Sequence, residues 1–124
     1  VLSMEDDVYQ IIFNLVENGI KYNQPQGSVH VSLEKTAEDV TISVEDTGFG
    51  IPEEALGHIF ERFYRVDKAR SRQAGGSGLG LSIVRELVQR NYGSIEVRSE
   101  VGKGTRFMVV FPYFEVEGEN ENAE

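Results

Sequence analysis

The stretch DVTISVEDTGFGIP, residues 39–52, determines how the rest of the chain is interpreted. Between positions 40 and 44 apolar side chains occupy every second position, which is typical of a β-strand with one buried face. Asp46 continues the same alternation, so the pattern predicts that a carboxylate points toward the core. Two glycines, Gly48 and Gly50, follow almost at once. A buried carboxylate needs hydrogen-bond donors, and the segment must supply or attract them.

Asp46 has two interpretations. In the first, it forms an Asx-turn, in which its carboxylate accepts hydrogen bonds from the amides of its own turn. In the second, it accepts a hydrogen bond from the amino group of a nucleobase. Gly48 and Gly50 would then bare the backbone where a ligand or another backbone segment approaches closely. Taken alone, residues 46–52 favour the turn.

The segments on either side predict an α+β fold. Their order is helix (residues 6–22), two strands joined by a turn near residues 37–39, a helix from Pro52, a polar loop, a helix, and a final hairpin around VGKG. This order predicts helices packed on one face of a sheet. Asp6 or Asp7 is the predicted N-cap of the first helix and Gly93 the C-cap of the last.

Apolar spacing also predicts which side chains of these elements are buried. They are Val29, Val31 and Leu33 in the first strand, Leu56, Ile59, Phe60 and Phe63 after Pro52, and Ile83, Val84, Leu87 and Val88 in the last helix.

Composition limits the classes of function. The 124 residues suit one domain, and the formal net charge of −9 argues against nucleic acid as the main partner. The absence of cysteine excludes disulfides and thiolate metal sites. Apolar runs are short, so no direct membrane contact is predicted. Residues 115–124 are acidic and are predicted to form a disordered tail after a domain of residues 1–114.

The first helix carries a polar arc opposite its apolar stripe. At 100° per residue, Asn14, Glu17, Asn18 and Lys21 lie close together on it. A solvated face explains the arc in ordinary terms. Two asparagines inside a helix are costly, however, and an amide oxygen can ligate a hard cation while Lys21 meets a phosphate. Both interpretations remain open on this evidence.

Two glycine-rich segments are candidates for phosphate binding. GGSGLGLSIV, residues 75–84, leads into a helix start, where free N–H groups suit a phosphate. It fails as a dinucleotide fingerprint, because Ile83 replaces the third glycine and no strand precedes it. GKGT in the final hairpin fails as a P-loop, since Gly104 replaces Ser/Thr, and it is interpreted as a turn.

Four segments together resemble the ATP-binding catalytic domain of sensor histidine kinases, in the superfamily of gyrase, Hsp90, histidine kinases and MutL. They are NLVENGIKY (14–22), DTGFGIP (46–52), FERFYRVD (60–67) and GGSGLGLSIV (75–84), which match its N, G1, F and G2 boxes. The resemblance runs from about residue 7 to residue 111. It implies a Bergerat-type two-layer α/β sandwich with a mixed, mostly antiparallel sheet.

The resemblance also implies roles for particular residues. Asp46 would accept from the adenine amino group, with Gly48, Gly50 and Ile51 around the base. Asn18 and Asn14 would hold Mg²⁺, Lys21 would meet the phosphates, and Tyr22 would line the site. Arg65, and less so Arg62, would contact the γ-phosphate, while the loop before Gly76 would form a lid. Gly76, Gly78, Leu79 and Gly80 would close on the phosphates.

The implied activity is transfer of a phosphoryl group to histidine. Asn14 stands where the superfamily's ATPases carry a glutamate base, and an amide cannot take up a proton near neutral pH. The implied acceptor lies on a separate dimerisation domain, and a response regulator takes part indirectly. His30 and His58 do not match the acceptor motif, so the chain alone is not expected to phosphorylate itself.

The resemblance further implies a cytoplasmic fragment of a longer, membrane-anchored sensor, lacking one strand ahead of the first helix. Two alternatives are an ATP-driven hydrolase or conformational switch, which Asn14 disfavours, and a degenerate interaction module without catalysis.

Overall fold

The computed structural model describes residues 2–64 and 80–112. Their elements are helix α1 (Leu2–Lys21), strands β1 (Val29–Lys35) and β2 (Asp39–Asp46), and a short 3₁₀ helix (Glu53–Ala55). Helix α2 (Gly80–Arg90) and strands β3 (Ser94–Glu100) and β4 (Gly104–Pro112) follow. None of the helices in these ranges combines the length and apolarity needed to cross a bilayer. The predicted tail, residues 115–124, lies outside them.

The four strands form one sheet in the order β1-β2-β4-β3. All three pairings among the described residues are antiparallel, whereas a mixed sheet was expected. Strands β1 and β2 form one hairpin and β3 and β4 another, while β2 and β4 pair at the centre, with Asp46 opposite Thr105. The fold class is as predicted, a two-layer α/β sandwich.

The core lies between the sheet and the two helices. Its buried members alternate along β2 and β4 and recur at helical spacing on α1 and α2. They are Ile11, Leu15, Ile42, Val44, Ile59, Val84, Val88, Phe107, Val109 and Phe111. The predicted inward face of β2 is therefore confirmed, and it ends at the buried carboxylate of Asp46.

The predicted N-cap of α1 is wrong. The helix begins at Leu2, so Asp6 and Asp7 lie inside it. Asp7 is 5% exposed, and its carboxylate takes two hydrogen bonds from Arg90, at 2.9 and 2.7 Å, and one from Asn91 at 2.8 Å. Asp7, one of the two predicted caps, therefore joins α1 to the end of α2.

The first strand is less buried than its pattern predicted. Val29 is half-buried, but Val31 and Leu33 are 43% and 63% exposed. They pair with Val44 and Ile42 and so lie on the core face of the sheet. Because β1 is at the edge of the sheet, no described element covers them, and that part of the prediction is wrong.

The segment after Pro52 is not an α-helix. Its described backbone bonds all run from an amide to the carbonyl three residues earlier, which makes a 3₁₀ turn followed by further turns; the donors are Ala55, Leu56, His58, Glu61 and Tyr64. Ile59 is buried and Leu56 and Phe60 are half-buried as expected, but Phe63 is 63% exposed with φ 66°. Tight turns of this kind do not place successive apolar side chains along one continuous face against the core.

Helix α2 ends differently from the prediction as well. Tyr92, at φ 62°, takes the left-handed position that Gly93 was expected to occupy. The amide of Gly93 bonds the Val88 carbonyl at 2.9 Å, closing the helix end. Gly93 is needed for space instead, since a Cβ there would lie 2.7 Å from the Phe111 ring. Ile83, predicted to be buried, is 39% exposed on the outer side of α2.

Candidate functional site

The last turn of α1 packs directly against the end of β2. A Cβ on Gly19 would lie 3.4 Å from the Oδ2 atom of Asp46, so a larger residue would crowd the carboxylate. One turn later, the carbonyl of Tyr22 accepts a hydrogen bond from the amide of Phe49 at 3.1 Å. The first helix and the segment DTGFG, far apart in sequence, therefore meet at Asp46.

The two oxygens of Asp46 differ in their partners. Oδ1 accepts from the amide of Gly48 at 2.8 Å, which is the predicted Asx-turn, and from the amide of Thr105 at 3.2 Å. Within residues 2–64 and 80–112, no hydrogen bond reaches Oδ2, which faces Gly19. The turn is thus present, and it leaves one oxygen to accept another donor.

Burial raises the pKa of Asp46, and the nearby charge of Glu45 adds to the rise. The amides of Gly48 and Thr105 oppose it, because hydrogen bonds to the carboxylate favour the charged form. A further donor at Oδ2, such as an exocyclic amino group, would lower the pKa of this carboxyl in the same way. The site is therefore built to gain from binding a donor.

The glycines beside Asp46 allow close contact between backbone segments. A Cβ on Gly48 would collide with the carbonyl oxygen of Tyr22, and one on Gly50, where φ is +80°, with that of Glu100. A Cβ on Gly104 would collide with the carbonyl oxygen of Asp46 itself. The sequence suggested two reasons for glycine at positions 48 and 50, namely close approach of a ligand or of another backbone segment. The structure shows the second. Contact of Gly48 and Gly50 with a base stays a prediction.

A polar network fixes the outer side of this loop. The hydroxyl of Thr47 accepts from the amide of Ser28 at 2.8 Å and lies 3.4 Å from Oδ1 of Asn23. Asn23 in turn donates to the Ser28 carbonyl at 3.0 Å, and Gln24 donates to the Thr47 carbonyl at 3.2 Å. These bonds tie the residue after Asp46 to the chain that leaves α1.

The inner side of the loop rests on the β3–β4 hairpin. The amide of Ile51 donates to the hydroxyl of Ser99 at 2.7 Å, and the amide of Gly102 donates to the Phe49 carbonyl at 2.9 Å. The VGKG segment, interpreted from the sequence as a turn, is a turn, but it also supports the glycine loop (residues 48–51).

The predicted polar arc of α1 is present beside this site. Asn14, Asn18 and Lys21 are half-buried, and the Oδ1 atom of Asn14 accepts from Gln10 at 3.0 Å. No described carboxylate pairs with Lys21. No cluster of three or more His, Cys, Asp or Glu in the described ranges could hold a metal ion. A cation here would be held by amide oxygens together with a ligand, which is the donor set that the asparagines supply.

The segment predicted to bind phosphate is described only in part. Helix α2 begins at Gly80, which is exposed and has open space where a Cβ would be. The glycine run therefore leads into a helix N-terminus, as predicted. Arg65, Gly76, Gly78 and Leu79 lie outside the described residues, as does the predicted lid.

Arg62 makes no described contact with Asp46. It is exposed, its guanidinium is 5.8 Å from the centre of the Phe63 ring, and it lines a groove of about 560 Å³ with Ile83, Arg85 and Glu86 of α2. No described contact joins Arg62 to the polar arc of α1. Its predicted γ-phosphate contact stays a prediction.

Both histidines are exposed, as expected. The Nδ1 atom of His58 lies 2.8 Å from Glu61, and its ring stacks on Tyr64 at 5.4 Å. His30 projects from the edge strand β1, two residues before Ser32. Neither arrangement resembles a nucleophile held beside the Asp46 site.

Sequence reasoning missed the residues that support the site. Ser99 and Thr105 hold the glycine loop and Asp46, and Asn23 and Thr47 fix its other side. The sequence offered one usable signal, the strand alternation that places Ser99 on the same face as Val97 and Ile95. A hydroxyl at the end of that apolar face needs a partner, just as Asp46 does.

The comparisons with known proteins agree with this geometry. Residues 3–115 match the protein family described as "Histidine kinase-, DNA gyrase B-, and HSP90-like ATPase". Sensor histidine kinase RppB of Synechocystis sp. is 42% identical over 112 residues, covering 90% of this chain and 25% of RppB. The chain therefore spans about a quarter of the length of this curated relative.

Solved structures give the same result. The mycobacterial sensor histidine kinase MprB matches with a TM-score of 0.77 and 30% identity, over 90% of this chain and 75% of that one. Full-length ShkA in complex with AMPPNP matches with a TM-score of 0.74 and 32% identity, over 89% of this chain and 22% of ShkA. These matches confirm the resemblance that the four sequence segments indicated.

Proposed function

Because this chain belongs to the histidine kinase-, DNA gyrase B- and HSP90-like ATPase family, we propose that it binds Mg-ATP and serves as the catalytic domain of a two-component sensor kinase. In the longer protein it would donate the γ-phosphoryl group to a histidine on a separate dimerisation domain. That histidine domain is its direct partner, and a response regulator receives the group afterwards.

The observation that carries the proposal is the environment of Asp46. Two backbone amides hold Oδ1 and so fix the direction of Oδ2, to which no described residue donates. An adenine amino group is a donor of the right kind, whereas the O6 atom of guanine is an acceptor and would be repelled. The carboxylate therefore selects adenine. Ile51 and Tyr22 flank the loop and the helix end that meet here.

The phosphate end of the ligand lies along α1 and toward α2. Asn18 and Asn14 would hold Mg²⁺ through their amide oxygens, and Lys21 would neutralise phosphate charge. The ion, when bound, supplies charge neutralisation for the leaving and transferred groups. Gly80, with Gly76, Gly78 and Leu79, would offer backbone N–H groups at the start of α2. Arg65 and Arg62 are the candidates for the γ-phosphate.

Transfer is favoured over hydrolysis by the side chain at position 14. Asn14 is half-buried on the polar arc and cannot accept a proton from an attacking water near neutral pH. Bound ATP would then persist until another nucleophile approaches. This argues against the hydrolase alternative. Phosphoryl transfer needs mainly positioning and charge neutralisation, which the arc and the helix terminus can provide.

The test is calorimetric titration with ATP, with and without Mg²⁺, on wild type, Asp46→Asn and Glu45→Gln. Glu45 is the exposed neighbour on the opposite face of β2, so Glu45→Gln is a matched control. Asp46→Asn presents a donor to the adenine amino group, and we expect ATP binding to weaken about 10- to 100-fold. Wild-type affinity in Asp46→Asn, or no Mg-dependent ATP binding by wild type, would contradict the proposal.

The proposed boundaries follow from the same family. Residues 1–114 would form the catalytic domain and residues 115–124 an acidic tail, on the cytoplasmic side of a membrane-anchored sensor. A further strand in the parent protein would cover the open edge of β1. The exposed core-face residues Val31 and Leu33 support that strand, since they lie where a neighbouring strand would pack.

A further inference from the structure

The hydroxyl of Ser99 joins three segments of the site. It lies 2.7 Å from the Ile51 amide, 3.0 Å from the Gly104 carbonyl and 2.9 Å from the Thr105 hydroxyl. One hydroxyl offers one hydrogen and two lone pairs. All three bonds form together when Ile51 and Thr105 donate to Ser99 and Ser99 donates to Gly104. Its hydrogen-bonding capacity is then full.

The bonds of Ser99 lead to Asp46 from two directions. On one side, Ile51 ends the glycine loop, whose first amide, that of Gly48, donates to Oδ1 of Asp46. On the other side, Thr105 donates from its own amide to the same Oδ1, and Gly104 lies against the Asp46 carbonyl. Ser99 therefore connects both amides that hold the carboxylate.

We infer that Ser99 is a positioning residue for the nucleotide site. No described hydrogen bond joins it to Asp46, and it acts by holding the two backbone segments that aim the carboxylate. The inference rests on the proposed function, since it assigns Ser99 to the recognition of the adenine base. It predicts that Ser99 controls which base is preferred, in addition to how tightly the loop is held.

Removal of the hydroxyl should loosen this arrangement. Ser99→Ala leaves the Ile51 amide, which is partly buried, without its acceptor. The glycine loop would then move relative to the β3–β4 turn, and the direction of Oδ2 would become less fixed. A misdirected carboxylate bonds the adenine amino group poorly and excludes guanine poorly, so base selectivity falls.

The experiment compares wild type with Ser99→Ala, Ser99→Thr and Ser94→Ala, using ATP and GTP titrations at a temperature where every variant is fully folded. Ser94 begins the same strand and is exposed, so Ser94→Ala makes the same change away from the loop. We expect Ser99→Ala to weaken ATP binding about tenfold and to reduce the ATP-over-GTP preference by a similar factor. Ser99→Thr, which keeps the hydroxyl, should restore both, and Ser94→Ala should change neither.

Amide hydrogen exchange in the nucleotide-free protein supplies a second readout. The Ile51 amide should exchange faster in Ser99→Ala and return to the wild-type rate in Ser99→Thr. If Ser99→Ala does not fold, Ser99→Cys replaces it, because a thiol is similar in size but accepts hydrogen bonds weakly.

The outcomes distinguish a failure of the positioning role of Ser99 from a failure of the proposed function. If wild type binds ATP and the alanine (or cysteine) variant keeps its affinity and selectivity, the positioning role is overturned and the proposed function stands. Equal losses for ATP and GTP would also overturn it, since they would show support of the fold without control of the base. If wild type does not bind ATP, the proposed function fails and the assignment of Ser99 fails with it.

Discussion

The two oxygens of Asp46 have different environments, and the proposed recognition of adenine depends on that difference. A carboxylate with both oxygens bonded to backbone would be a structural turn, and one with neither would be too costly to bury. Here two amides hold Oδ1, which fixes the geometry, while Oδ2 stays open within the described structure. The sequence predicted the buried carboxylate from alternation alone. It did not predict that an Asx-turn and an open acceptor oxygen would occur together.

Gly50 gives a prediction at the scale of single residues. Its φ of +80° and its contact with the Glu100 carbonyl both exclude a side chain. Gly50→Ala should therefore lower the free energy of unfolding by about 2 kcal/mol or more. A Cβ on Gly57 would meet nothing within 4 Å, so Gly57→Ala should be neutral or raise it by about 0.4–1 kcal/mol. Urea denaturation of both variants checks this, and equal losses would contradict it.

At the scale of secondary-structure elements, Asp7 joins the two helices. The hydrogen bonds from Arg90, then the one from Asn91, and the charge of Arg90 hold the pKa of Asp7 below its usual value of 3.8, although its burial opposes this. The folded state therefore binds the proton less readily than the unfolded state. The stabilisation is present above pH 3.8 and is lost as the pH falls through the lower, folded-state pKa.

We therefore expect Asp7→Asn to be less stable than wild type at pH 7, with the difference shrinking as the pH falls below 3.8. Asp6→Asn is the matched control, because Asp6 is exposed and forms no described ion pair. Urea unfolding at pH 7, 5 and 3 measures the difference. A constant gap between wild type and Asp7→Asn across these pH values would contradict the assignment.

At the end of α2, substitutions at two adjacent positions should change the free energy of unfolding in opposite directions. Tyr92 is 86% exposed in a left-handed conformation, which costs a non-glycine residue about 1–2 kcal/mol. Asparagine tolerates that conformation better, so Tyr92→Asn should raise the free energy of unfolding by about 0.5–1 kcal/mol. Gly93→Ala should lower it, because its Cβ would press on the Phe111 ring. Thermal unfolding measures both, and an unchanged midpoint for Tyr92→Asn would contradict the prediction.

Sequence patterns predicted some elements well and others poorly, for a physical reason. Strand β2 and its inward face follow from local alternation, and α2 from helical spacing. The segment after Pro52 has helical spacing too, yet it forms tight turns and leaves Phe63 exposed. Periodicity shows which side chains are apolar. It does not show whether the neighbouring elements leave room for a full helix.

At the scale of the whole molecule, the site is assembled from segments that are distant in sequence. The end of α1, the glycine loop and the β3–β4 turn meet at Asp46 only because β2 pairs with β4 in the register that sets Asp46 opposite Thr105. The resemblance of the sequence motifs to the histidine kinase family predicted the first two. The third depends on that register, which local patterns do not specify. Alternation places Ser99 on the inner face of β3, but it does not show which segment Ser99 supports.

Several large apolar side chains are exposed on the described structure. Tyr9, Phe13 and Ile20 on α1, at 69%, 48% and 64% exposure, lie on one flank of the helix. Val31 and Leu33 are exposed on the open edge of the sheet. The hydrophobic pattern of a strand predicts the direction of its side chains correctly. Whether those side chains are covered depends on elements beyond the strand.

The chain by itself should bind ATP without labelling itself. Its histidines, His30 and His58, are both exposed. His30 pairs with Glu45 and points to the face of the sheet opposite Asp46, and His58 lies against Glu61. Incubation with γ-labelled ATP and Mg²⁺ should give no acid-labile, base-stable label on the protein. Substitution of both histidines by glutamine is the control. Label that is present on wild type and absent from that control would show self-phosphorylation and contradict the prediction.

The contacts of Gly48, Gly50 and Gly104 have a consequence for inhibitor design. Around Asp46 the structure is shaped largely by main-chain atoms packed against each other, which side-chain replacement cannot remodel. A compound that bonds Asp46 and follows this backbone would leave few routes to resistance. Under the proposed function, changing Asp46 would weaken ATP binding, and changing one of these glycines would disrupt the backbone packing, so escape mutations would have to arise elsewhere.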